Sequence, residues 1–398
     1  KLLYARLMVT SQKMVYFTGT SDGSTNNDAA IAATIAQLEA IPRTNFSRVT
    51  LVAPPGSYLF ETPFELPDQC DYLGEGNANW IYDNNDYSQP SFTVGSDSPF
   101  ETGGRFLNLS VQHYRNHKHW LIEDGGTQDK ENSAGVRVKN AYHAIVSTRT
   151  IEGFLIGLQL MPSAGGNISY SDVYPGSHVN CKYGLDLRGN ASLGFINENS
   201  YHGGNFQTAS TWKFGSVYAV RISHATNGYQ SQNNNVFIKP CFQVLGVATA
   251  GGFVASAVVT EGDGVHFEGR DYVVTAGGGG TLGGTGPTHE TGEAANGTAT
   301  LKYRGLHRRA GMLFEGAGNN IRVIAARVEG TYGAPFQFRE SNSACGRIEI
   351  DIGYYGNIVD APNPKNGAPC FTEIQDHTNH QNYWTNVKVN LGGRGTHS

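Results

Sequence analysis

Apolar residues recur with two different periods along this chain. Ile31, Ile35 and Leu38 fall at helical spacing within AAIAATIAQLEA, which predicts one helix over residues 29–40. The turn-rich run DGSTNND at 22–28 is expected to cap it, and Pro42 closes it. The period then becomes two. Val49, Leu51 and Ala53 alternate with their neighbours, Pro54-Pro55-Gly56 turns the chain, and a second strand opens at Tyr58.

Beyond residue 100, short strands recur in which one residue separates two apolar ones. They are Val136-Arg137-Val138, Leu185-Asp186-Leu187, Val220-Arg221-Ile222, Met312-Leu313-Phe314 and Phe336-Gln337-Phe338. Several lead into an Asn-bearing turn: NENSYH at 197–202, NNNVFI at 233–238 and NNIRV at 319–323. Asn tolerates the left-handed backbone of a tight corner and can bond to an Asn stacked above it. Strand, Asn corner, strand is the pattern of solenoid rungs, although their unequal spacing requires long excursions. An all-β sandwich is the competing architecture.

The start of the chain carries a resemblance. Asp22-Gly23, Thr25, Asp28, Ala30-Ile31, then Pro54-Pro55-Gly56, Tyr58 and Leu73-Gly74-Glu75-Gly76 resemble the opening of pectate-lyase-like β-helix proteins. That resemblance implies an all-β fold, a right-handed parallel β-helix whose N-terminal helix covers the open end of the solenoid. Such a cover has a physical reason, because an open end exposes apolar side chains and strand edges. A second segment, rich in Gly and Thr, is similar to small β-modules of phage tail proteins. It carries Tyr272, Val274-Thr275, Pro287-Thr288-His289, Gly292, Gly297-Thr298 and Tyr303. A flexible loop is the plainer reading, but strand-like residues bracket the glycines. The expected organisation is a neck and cap at 1–80, rungs at 81–243, an inserted β-module at 244–304, and final rungs with a C-terminal segment at 305–398.

The residue between two inward apolar ones points outward. Aligned rungs therefore give an outward column of Arg137, Asp186, Arg221, Leu313 and Gln337, beside a second of Lys139, Arg188, Ser223, Glu315 and Arg339. With rungs about 4.8 Å apart, Asp186 is expected between Arg137 and Arg221. One reading is a groove for an acidic polysaccharide with Asp186 as catalytic carboxylate and Arg137 and Arg188 binding substrate. The other is a surface ion-pair ladder of little energy. Glu198, in Asn197-Glu198-Asn199, is the second candidate carboxylate, since glycoside hydrolysis needs two. Glu315 and Glu329 are alternates. For an elimination reaction the candidates are Arg221, His202 and Tyr201, and Tyr201 is also a candidate to stack on sugar.

Composition narrows the function classes. The chain has 398 residues, net charge −5 and only 16% charged residues, so no basic surface invites nucleic acid. No apolar run is long enough to insert in a membrane. The five cysteines are scattered without a CxxC pair and read as buried thiols of a protein folded in a reducing compartment. The opening KLLYARLMVT is a poor export signal. His113, His117 and His119 do not fall on one side of a strand, so no metal is expected, and no cofactor fingerprint is present. The resemblance implies a phage tailspike or tail fibre: a homotrimer on the virion that contacts other tail or baseplate proteins. It would bind a bacterial surface polysaccharide and cleave it by hydrolysis or β-elimination. A non-catalytic adhesin and a cellular polysaccharide lyase or epimerase are the alternatives.

Overall fold

The computed structural model describes residues 13–44, 47–84, 89–98, 103–113, 133–163, 165–189, 194–207, 217–224, 232–244, 251–275, 277–306, 309–315, 318–329, 335–339, 345–356, 372–374 and 384–391. Among them the chain winds as a parallel β-helix with three walls. One wall is a nine-stranded sheet that runs from Phe64–Glu65 through Ala134–Val138, Ile156–Leu160, Tyr183–Gly189, Val217–His224 and Arg309–Glu315 to Thr372–Ile374. A seventeen-stranded sheet supplies the other two. Its middle wall contains Asp172–Tyr174, Ser200–His202 and Val236–Ile238; its closing wall contains Ser177–Val179, Asn205–Gln207 and Cys241–Gln243. Every pairing between rungs in these walls is parallel, as one-directional winding requires.

Parallel register stacks like residues, and the core is built of columns. Along the middle wall Tyr72, Phe106, Val146, Val173, Tyr201, Phe237, Val323 and Ile350 pair in succession, all pointing inward and buried. Along the closing wall the inward column is Tyr58, Trp80, Val111, Ile151, His178, Phe206, Phe242 and Val328. These rings need room where the nine-stranded wall begins. Glycine provides it: a Cβ at Gly184 would meet Phe206 at 2.6 Å, and one at Gly311 would meet Phe242 at 2.7 Å.

The corner entering the middle wall repeats a left-handed residue on successive rungs: His143, Tyr170, Glu198, Asn234 and Asn320, with φ between 52° and 60°. The expected Asn stacking is present. Asn199 Nδ2 donates to Asn235 Oδ1 at 3.2 Å, and Asn320 Nδ2 donates to Asn234 Oδ1 at 2.5 Å. His143 and Tyr170 hold the same geometry without an amide side chain, and a tyrosine there is uncommon.

The helix Asp28–Ala40 buries Ile31, Thr34 and Leu38. Its N-terminus differs in detail from expectation. The Asn27 side chain does not cap the helix; its Nδ2 donates to the Leu59 carbonyl at 3.1 Å and its Oδ1 accepts from Thr20 N at 2.7 Å. Asp28 is the tether, accepting from Glu61 N and from Thr62 N and Oγ1. The segment between the rungs ending at Gln243 and starting at Arg309 carries a sheet and a core of its own. Gly264–Phe267, Arg270–Val274, Ala299–Leu306 and Glu293–Asn296 pair antiparallel over a core of Val265, Tyr272, Val274, Leu282, Ala299 and Leu301. The solenoid closes over this excursion, since Val217–His224 pairs directly with Arg309–Glu315.

Candidate functional site

Two polar assemblies lie on the outside of the solenoid. The first is the predicted column on the nine-stranded wall, with one correction. The strand Ile156–Leu160 is a rung of its own, so the column reads Arg137, Gln159, Asp186, Arg221, Leu313, Gln337. Asp186 adjoins Arg221 as expected but is separated from Arg137 by Gln159.

Its centre is closed to solvent. Asp186 is 0% exposed and Arg221 4%. Arg221 holds the carboxylate with two hydrogen bonds, Nε to Oδ1 at 2.8 Å and Nη2 to Oδ2 at 3.0 Å. Gln159 Nε2 donates to Oδ2 at 3.0 Å and Ser223 Oγ to Oδ1 at 3.5 Å. Arg137 Nε in turn donates to Gln159 Oε1 at 2.8 Å. The Arg221 guanidinium lies 4.1 Å over the Tyr183 ring, which stacks on Tyr218. Burial alone would raise the Asp186 pKa, but the Arg221 charge and the hydrogen bonds outweigh it and hold the carboxyl below its usual range. Burial also works against the Arg221 charge, yet Asp186 raises its pKa well above the ordinary value. Burial and then the neighbouring Arg188 lower Arg137 to about 10. Arg188 and Glu315 sit half-buried at the rim, with Ser223 between them in register.

This geometry corrects two expectations. Asp186 is ionised, saturated with donors and enclosed, so it does not stand in an open groove as a catalytic carboxylate. Arg221 is committed to Asp186 and is not available to neutralise a uronate. Nor does the structure pair Asp186 with Glu198, which lies exposed on the left-handed corner with Oε1 accepting from Asn234 Nδ2 at 2.7 Å. Tyr201 is corrected too. It is the inward residue of Ser200–His202, 1% exposed and stacked 4.5 Å from Phe237, so it cannot stack on a sugar. Glu329 lies apart on the closing wall, accepting from Arg327 at 2.7 Å and Gln243 at 3.1 Å. His113 is buried beside the Asn84 carbonyl, while His117 and His119 lie outside the described residues.

The second assembly is exposed and only half foreseen. On the middle wall His202 Nε2 lies 3.1 Å from Asp172 Oδ1, and its ring stacks on Tyr174 at 4.8 Å and 15°. Asp172 pairs in register with Ser200, two residues beyond Glu198. Tyr174 is 42% exposed, and Ile145, in register with Asp172, is exposed beside it. At the adjoining corner Tyr142, His143 and Tyr170 form a cluster with ring centroids 4.3–5.4 Å apart. Aromatic faces beside carboxylates and amides suit the alternating apolar and hydroxylated surfaces of a sugar. Sequence reasoning singled out Glu198 and His202 but missed Asp172, Tyr174 and Tyr170. The available signal was that DVY at 172–174 and SYH at 200–202 are the same strand on consecutive rungs.

No family model matches the chain, and no curated protein does. Among solved structures it is similar to ORF18 of Geobacillus virus E2, at 10% identity and TM-score 0.37 over 98% of this chain and 63% of that one. It is also similar to a family 28 exopolygalacturonase of Yersinia enterocolitica, at 9% identity and TM-score 0.32 over 98% and 79% of the two chains. Tailspike protein 3 of bacteriophage CBA120 matches at 13% identity and TM-score 0.28 over 95% of this chain and 59% of that one. The chain thus spans less than two thirds of both viral proteins. The parallel ladders of the chain itself define its class: a parallel β-helix with an antiparallel insertion.

Proposed function

We propose that this chain is a tailspike-type phage protein that binds a bacterial surface polysaccharide (capsule, exopolysaccharide or O-antigen) and depolymerises it on the middle wall. The observation that carries this reading is the exposed group of Asp172, His202, Tyr174 and Glu198 on a rigid ladder. Tyr174 supplies an apolar face for a sugar ring. Asp172 and Glu198 are the two carboxyl groups that hydrolysis needs. Their backbone positions are one rung and two residues apart. Hydrolysis is favoured over elimination because Arg221 is committed to Asp186.

The test is incubation with purified host capsule or O-antigen, followed by assay for new reducing ends. Cleavage lost in Asp172→Asn and Glu198→Gln, with binding kept, is the expected result. No shortened product with any host polysaccharide would sink the enzymatic claim. Binding without cleavage is the second reading. It is favoured by the partners already on both carboxylates, His202 on Asp172 and Asn234 on Glu198, which suit hydroxyl acceptance alone. As a virion appendage the protein is expected to be a homotrimer, since side-by-side solenoids bury flat walls in a closed assembly. Light scattering should then give three times the chain mass.

A further inference from the structure

Of the seven large apolar or aromatic side chains most exposed among the described residues, Ile145, Tyr170 and Tyr174 lie on two adjacent rungs of the middle wall and its entry corner. Exposed aromatic surface concentrated in one place marks a binding surface. Tyr170 is 51% exposed at the left-handed corner, and its ring is fixed rather than loose. His143 stacks against it at 5.4 Å and 30°, and Tyr142 meets it edge-on at 5.4 Å. Glu198 follows Tyr170 on the next rung of the corner, then Asn234, then Asn320, joined by side-chain hydrogen bonds. The corner therefore offers, along the solenoid axis, an aromatic platform followed by a carboxylate and two amides.

The charges around it are one-sided. Glu198 and Asp172 both bring carboxyl groups, and the nearby imidazole of His202 is bonded to Asp172. Arg105 and Arg322, in the same outward column as Asp172, are held by Asp71 at 3.4 Å and Glu349 at 3.3 Å. Lys239 sits across the wall at its opposite corner. Among the described residues the corner's own cation is Arg347, which follows Asn320 three rungs beyond Glu198, so a uronate laid on Tyr170 would face the carboxylates first. A second copy of this chain would have to desolvate the same carboxylates against an apolar face. An uncharged sugar meets neither cost: its apolar face stacks on Tyr170, and its hydroxyls donate to Glu198 or pair with the Asn amides.

We propose that Tyr142, His143 and Tyr170, with Glu198 and Asn234, form a subsite for an uncharged sugar ring, which sets a preference for neutral over uronate-rich polysaccharide. This deepens the function proposed above and rests on it. The corner is at most about 13 Å from Tyr174, four residues along the chain, so one bound chain can span both.

The experiment is binding of the full chain to an array carrying neutral and uronate-containing bacterial polysaccharides, with Tyr170→Ala, Tyr170→Phe and Arg188→Gln beside the parent. The expected result is retention on neutral glycans, about three- to tenfold weaker for Tyr170→Ala. Tyr170→Phe should keep most of the affinity because the ring face makes the contact, and Arg188→Gln should leave it unchanged. Retention chiefly on uronate glycans, with loss in Arg188→Gln, overturns the subsite and leaves the polysaccharide function standing. Neutral binding unchanged in Tyr170→Ala also overturns it. So does a change of oligomeric state in that variant, which would make the corner a subunit contact. Retention of no glycan at all removes the proposed function and the subsite with it.

Discussion

The nine-stranded wall and the middle wall both place polar side chains on the outside of the same solenoid, yet the two sets answer to different physics. Around Asp186 the groups are enclosed and satisfied by one another: an arginine on two carboxylate oxygens, a glutamine, a serine and a tyrosine ring over the guanidinium. Around Asp172 they remain in reach of solvent, with each carboxylate holding one side-chain partner and open space beside it. An outward position in a β-helix is thus not the same as a surface position. A buried ion pair is costly to break and adds little beyond a well-packed apolar alternative. An exposed carboxylate adds little stability and keeps its chemistry.

The largest effects should therefore come from the closed assembly. Asp186→Asn leaves Arg221 charged and enclosed without its counterion, and should cost about 3–5 kcal/mol, read as a shift in the urea midpoint. Because the folded-state pKa of Asp186 is depressed, its contribution is complete above the ordinary carboxylate range and is lost as pH falls through and below about 4. An unchanged midpoint with loss of cleavage would break the comparison, because it would make Asp186 a reactive group instead of a structural one. Tyr201→Ala, in the core column between Val173 and Phe237, should cost a similar 3–5 kcal/mol, whether or not glycan is present.

The next effect separates inward polar groups from outward ones. His178 is an inward histidine between Ile151 and Phe206, with Nδ1 at 2.6 Å from the Gly184 carbonyl and Nε2 at 3.1 Å from Thr148 Oγ1. Burial lowers its pKa to about 4. An unfolded histidine binds its proton near pH 6.5, so between those values the unfolded chain carries the extra proton and stability rises with pH. Stability is complete above about pH 6.5 and declines as pH falls toward 4, by about 2 kcal/mol at pH 5. Urea midpoints at pH 7.5 and 5.0 should show that loss in the parent and much less of it in His178→Phe. Equal slopes would assign the acid sensitivity elsewhere.

Much of the fold was legible because it is local. The helix at 28–40, the strand after Pro54-Pro55-Gly56 and the Asn corners each announce themselves within a few residues. What stayed hidden depends on register. Ile156–Leu160 is a rung, but it follows the apolar stretch 154–155 and lacks an Asn corner like those at 197 and 233, so Gln159 was passed over. In a three-residue strand such as Ser200–His202, one slip exchanges inward and outward. That is why the sequence pattern alone suggests Tyr201 as a surface ring and gives no sign of Tyr174, one rung away and truly exposed. Burial of the Asp186 column is a tertiary fact that no strand pattern encodes.

The smallest expected change is the most telling. Tyr174→Ala removes a ring that stacks on His202 but fills no core space, so stability should move by no more than about 0.5 kcal/mol. Polysaccharide binding should nevertheless weaken severalfold, because the stacking face is gone. His202→Ala should behave alike in stability and should lower the cleavage rate by freeing Asp172 from its partner. A Tyr174→Ala protein that is destabilised as much as Tyr201→Ala would mean that the middle wall is packed against something in solution. The two walls would then be alike, and the site would have to be sought on the closing wall around Glu329 instead.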